Sequence, residues 1–96
     1  MVVGVLRLTM DTSGLGSLKG KRAIVKRVVS RVRQTFNVAV AEVDLQDAHD
    51  FAVLGFAVVG SDHRVVNSVI DRVIDFVEEM HLASIEDHSY EILHVL

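Results

Sequence analysis

Two successive cycles of strand-like, helix-like and strand-like periodicity run through this chain with no proline to interrupt them, and that order constrains the fold more than any other feature. Residues 2–11, VVGVLRLTMD, place Leu6, Leu8 and Met10 on one side of a pleated strand and Val3, Val5, Arg7 and Thr9 on the other. Thr12 to Ser17 hold Gly14 and Gly16 between hydroxyl residues and read as a loop, with Ser17 as the N-cap of a helix starting near Leu18 or Lys19. Ile24, Val25, Val28, Val29, Val32 and Phe36 then recur at three- and four-residue spacing, the period of a helix with one buried stripe, and Asn37 marks its exit. Valine has modest helix propensity, so this helix depends on packing against a sheet.

Residues 38–45, VAVAEVDL, alternate as a second strand, and QDAHD makes a polar connection. Residues 51–60, FAVLGFAVVG, are apolar at both parities and predict a central strand. A second helix follows, capped by Ser61 or Asp62, with Val66, Val69, Ile70, Val73, Ile74 and Val77 inside and Asp71, Asp75, Glu78 and Glu79 outside. SIEDHSYEILHVL supplies a last, less regular strand. The order βαββαβ predicts an α+β sandwich of the split βαβ kind, a single domain over residues 1–96. Two right-handed crossovers put both helices on one face of a four-stranded antiparallel sheet, with the first and third strands central. The other face is then open. Val3, Val5, Val38, Val40 and one parity of the third strand are expected to line it, and an apolar surface of that kind predicts a homodimer or a docked partner.

Charge is distributed unevenly. Of ten Lys and Arg, seven lie between Lys19 and Arg33, where no Asp or Glu occurs, while all thirteen acids lie elsewhere. Lys19, Arg22, Lys26 and Arg33, with Arg27 and Arg31 on the flank, are expected on the outer surface of the first helix. Lys19, Lys21 and Arg22 crowd its first turn, where positive side chains oppose the helix dipole unless an anion compensates. Three readings stay open at this point: contact with phosphate or an RNA backbone, a solvated face, and a salt-bridged contact with an acidic partner. Aromatic residues are few, so any nucleic-acid contact is expected to be to backbone rather than to stacked bases.

Other chemistry lacks its required residues. A Walker A loop needs Gly at position 15 and Ser or Thr after Gly20-Lys21, where the chain has Leu15 and Arg22. A dinucleotide fingerprint beginning at Gly14 needs glycine where Lys19 stands. Glu42, Asp44, Asp47, His49 and Asp50 cluster at the second strand's end without the spacing of a metal loop. The five histidines form no metalloprotease pattern, though His88 and His94 are placed to share a strand face, and Ser17 has no nucleophile elbow. With no cysteine there is no disulfide framework and no thiolate site. The expectation is a chain without catalytic activity, cofactor, metal or specific small-molecule ligand. The first residues lack a basic region ahead of their apolar run, and no apolar stretch reaches the roughly 18 residues of a membrane span, which together predict a cytoplasmic location.

VGVLRLTM, SLKGKRAIVKRVVSRVRQTFNVAVAEVD and LGFAVVGSDHRVVNSVIDRVIDFVEE together resemble the YlxP-like family of small bacterial proteins, almost end to end. The most specific part runs from Ser17-Leu18-Lys19 through Lys21-Arg22 to Asn37 and on to Ala41-Glu42-Val43-Asp44. The resemblance implies a ferredoxin-like fold. It also implies genes lying among those for transcription elongation, translation initiation and ribosome maturation, hence a role near ribosomal RNA or the ribosome. It carries over no catalytic or cofactor residues. Lys19, Lys21, Arg22, Lys26, Arg27, Arg31 and Arg33 are therefore candidate phosphate contacts on physical grounds, and Val3, Val5, Val38 and Val40 candidate interface residues.

Overall fold

In the computed structural model, which describes residues 1–96, strand β1 (Val2–Asp11) pairs antiparallel on one side with β3 (Phe51–Gly60) and on the other with β4 (Ser84–His94). The short β2 (Ala39–Asp44) closes the other edge, giving the order β2-β3-β1-β4. Helix α1 (Leu18–Thr35) links β1 to β2, and α2 (His63–Glu79) links β3 to β4. Both helices pack on one face of the sheet, and the arrangement is ferredoxin-like, as the order of periodicities predicts.

The alternation in β1 decides which face receives the helices. Leu6, Leu8 and Met10 are buried with Ala52, Leu54, Phe56 and Val58 of β3 in one core. Val25, Val28 and Val32 of α1 and Val66, Ile70, Val73 and Val77 of α2 cover them. Full burial of a valine stabilises by roughly 1.5–3 kcal/mol relative to exposure, which outweighs the few tenths that valine costs in helix propensity. Tertiary packing, not local preference, therefore holds α1. Phe36 at its end meets Phe76 of α2 edge to face, with ring centroids 5.4 Å apart.

Both helix starts are capped as their sequences predict. Ser17 Oγ accepts from Gly20 N at 3.0 Å, and Asp62 Oδ1 accepts from Val65 N at 3.0 Å. The glycine loop before α1 contains a single 3₁₀ turn over Ser13–Leu15, ended by Gly16 at φ 69°, a left-handed conformation that favours glycine.

The expected orientation of β2 is overturned. Val40 is buried in the core beneath the helices and Val38 packs against that core, so neither lines the open face. Ala39 and Ala41 do so instead, opposite Ala57 and Gly55 of β3. Both parities of VAVA are apolar, and the larger side chains take the face that excludes more water. After Glu42 a register shift turns Val43 and Asp44 both toward the open side, where Val43 lies over Gly55 and Asp44 meets Arg7. Val3 and Val5 do lie on the open face, as β1 predicts, across from Val59 and Ala57.

Candidate functional site

Ser17 and the 3₁₀ turn aim the start of α1 outward, and the buried valines fix which side of the helix meets solvent. Lys19, Arg22, Lys26, Arg27, Arg31 and Arg33 are all exposed on that side. None of the six lies within 4.0 Å of a carboxylate oxygen, since the side chains that meet carboxylates at that distance are Arg7, Lys21 and His49. With a rise of 1.5 Å per residue the row from Lys19 to Arg33 runs about 21 Å. Arg33 is anchored, its guanidinium donating to the Val40 carbonyl at 3.0 Å. The other five side chains make no hydrogen bond or ion pair within the chain, and the first turn contains no acid to offset Lys19 and Arg22.

Lys21 departs from expectation. Its side chain is fully buried, so it is not a phosphate contact. The ammonium donates to the carbonyls of Leu45, at 2.6 Å, and Ala48, and pairs with Glu42 Oε2 at 3.0 Å. Two hydrogen bonds to carbonyls and one carboxylate at ion-pair distance thus surround the ammonium, which is how a buried lysine avoids an uncompensated charge. The contacts tie α1 to the β2–β3 connection, where Leu45 holds a left-handed φ of 53°. Thr12 fastens the same connection from the other side, donating from Oγ1 to the His49 carbonyl at 2.7 Å and from N to that of Asp50 at 2.8 Å. The signal for Lys21 was present in the sequence: it stands four residues before Val25 and in line with Val28 and Val32, on the buried stripe.

The acidic cluster at the end of β2 separates into unrelated contacts. Glu42 faces the helices and meets Lys21, Asp44 faces the open side and holds Arg7 at 2.7 Å, and Asp50 takes His49 Nδ1 at 3.0 Å. No group of three or more metal-type side chains converges there or elsewhere. Asp11 at the end of β1 accepts from the hydroxyl and the backbone N–H of Ser13, and these bonds hold its carboxyl below the ordinary 3.8.

On the far side of the sheet an open groove of about 640 Å³ runs over Ala39, Ala41, Gly55 and Ala57, bordered by Val5 and Val43. The sequence pattern of β2 does not predict this groove, because it exists only with Val38 and Val40 turned to the core and the two alanines turned outward.

Residues 3–90 match the DUF503 family, described as a protein of unknown function, and the chain belongs to that family. The uncharacterized protein YlxP of Bacillus subtilis (strain 168) is 38% identical over 63 residues, covering 66% of this chain and 68% of the relative. Among solved structures, the de novo designed protein Foldit4 superposes with a TM-score of 0.54 at 12% identity, covering 99% of this chain and 98% of the other. An antibiotic biosynthesis monooxygenase gives a TM-score of 0.54 at 11% identity, covering 100% and 99%. At such identities the likeness is one of backbone alone. No helix is long and apolar enough to cross a membrane.

Proposed function

We propose that this DUF503 chain is a non-enzymatic cytoplasmic accessory protein that contacts structured RNA, ribosomal RNA foremost, through the outer face of α1. One observation carries the reading: six exposed cations on a single helix face have no carboxylate partner in their own chain. Unpaired cations in a row release counterions when they meet phosphates, and this supplies affinity without reading sequence. The acids of β4 lie at the sheet edge farthest from the β2 edge that α1 covers, and those of α2 lie on the neighbouring helix, so the overall charge of −3 is carried outside the α1 face and does not prevent contact.

Base stacking is a poor fit. The open-face residues of β1 and β3 include one aromatic ring, Phe51 at the very start of β3, and Phe56 is buried in the core, so the central strands do not present the pair of rings that base stacking uses. Contact to the sugar-phosphate backbone and to helix shape is what remains. The side chains that catalysis would recruit are occupied or dispersed. Ser17 caps α1, Ser13 bonds Asp11, and the pair His49–Asp50 stands on the surface with both side chains more than half exposed.

Fluorescence polarisation with a ribosomal RNA fragment over a range of salt tests the proposal. Contact through most of these cations gives a log–log salt slope of about −4 to −5. Arg27→Glu with Arg31→Glu should abolish most of the affinity while the thermal melt of the protein is unchanged. Binding that is flat in salt, or indifferent to the double reversal, would sink the reading.

A further inference from the structure

We propose that the open face of the sheet is the interface of a homodimer, in which a two-fold axis parallel to the strands lays β1 of each copy over β3 of the other. The inference is independent of the RNA reading. It rests on the relief of this face. Along β1 the outward side chains are large, Val3, Val5 and Arg7; their Cα partners on β3 fall away from Val59 to Ala57 and Gly55. The low ground continues onto β2, where Ala39 stands beside Ala57 and Ala41 beside Gly55. The face is therefore higher at Val5, the ridge, than at Ala57, the trough, and the 640 Å³ groove spreads over both and on to β4.

A dimer with two-fold symmetry must present one surface that complements itself. A two-fold axis perpendicular to the strands would set β1 on β1, ridge against ridge and trough against trough. An axis parallel to the strands, between β1 and β3, sets Val5 over Ala57 of the second copy, while the space above Gly55 is already taken by Val43 of its own chain. The large side chain of Val5 then fills the space above the small Ala57 in both directions at once. Close packing of two sheets about 10 Å apart needs this interdigitation.

Area and charge agree with this occupant. Strands of 10, 6, 10 and 11 residues at about 4.8 Å spacing and about 3.4 Å per residue give a footprint of about 600 Å², about three-quarters of the roughly 800 Å² per partner of a standard interface. Val59 is 65% exposed, Val43 50%, Leu93 45% and Val5 38%, and all four lie on this one face. Arg7, the cation of the ridge, carries its own counterion in Asp44 at 2.7 Å. Asp87 and Glu91 sit on β4, the edge strand of this face, beside Thr9 and Val5 of β1. The resulting molecule has four layers, with an α1 on each outer surface, so dimerisation leaves both basic helices free.

Sedimentation equilibrium of the full chain without RNA tests the interface. The expected mass is twice the 10.6 kDa of the chain. Ala57→Glu should give the monomer mass with an unchanged circular dichroism spectrum, and Val59→Glu, at a more exposed position, provides the same test if the first variant fails to fold. Val5→Ala empties the ridge and Ala57→Val fills the trough, so each alone should weaken association by about tenfold or more. Combined, they exchange ridge and trough and should restore it. A monomer at high concentration, a dimer indifferent to the charged variants, or a chain that gains mass only with a different protein would overturn the proposal. Failure of the double variant to recover association would overturn the axis.

Discussion

Lys21 Nζ lies 3.0 Å from Glu42 Oε2, with the lysine side chain wholly out of contact with solvent and that of the glutamate 18% exposed. The contact is an ion pair without hydrogen-bond alignment, for Glu42 Oε2 accepts no hydrogen bond. It joins the first turn of α1 to β2, and through the carbonyls of Leu45 and Ala48 it also fixes the connection to β3. A cation in a basic helix is here part of the frame that presents the others.

Removal of this lysine separates structure from binding. Lys21→Ala strands Glu42 and two carbonyls in a buried site, and loss of one partner of such a pair costs about 3–5 kcal/mol. Urea unfolding should register a loss of that size. Lys26→Ala, on the outer face, should leave the unfolding midpoint almost unmoved and lower the RNA salt slope by about one. Equal stability in the two variants would show that Lys21 is not the clamp described.

Ser17 caps α1 through its hydroxyl, which accepts from Gly20 N at 3.0 Å. Ser17→Ala should destabilise the fold by about 1 kcal/mol, read as a lower thermal midpoint, while Ser17→Asp should retain the cap. A neutral Ser17→Ala would mean that water replaces the hydroxyl at no cost.

Gly4 of β1 lies directly under α2. A Cβ built there would stand 2.4 Å from Val66 Cγ1 and 2.8 Å from Ile70 Cδ1. Gly4→Ala should therefore cost about 1–3 kcal/mol through overpacking, although alanine is otherwise the better strand residue. Adding Val66→Ala to the same chain should recover part of the loss, and absence of coupling between the two would contradict the packing described.

Asp11 gives a pH-dependent signature. Its carboxyl is lowered from 3.8 by the Ser13 hydroxyl first and the Ser13 N–H second. The folded value lies below the unfolded one, so the bonds contribute above the unfolded value and are lost as pH falls through the folded value. A side-chain NMR titration should place the midpoint of Asp11 below 3.8, and Ser13→Ala should move it upward. An unmoved midpoint would show that the hydroxyl bond is absent in solution.

Most of the architecture was legible because periodicity reports burial directly. In β1 large apolar residues on one parity face polar or smaller ones on the other, and in both helices the three- and four-residue spacing of valines leaves one possible inner stripe. Both caps were legible because Ser17 and Asp62 accept bonds from residues only three positions ahead. The second strand was not. Val38-Ala39-Val40-Ala41 satisfies either face as a pattern, and the side that it buries depends on where α1 lands.

The order of the elements, the inner faces of β1 and both helices, and the concentration of positive charge on the first helix are set locally, since each follows from neighbours within a turn or two of chain. Tertiary structure alone decided the rest. It withdrew Lys21 from the basic surface, because the oxygens that hold it come from residues 21 to 27 positions away. It also opened the trough of Ala39, Ala41, Gly55 and Ala57, because strand pairing brings small residues together that the chain keeps far apart.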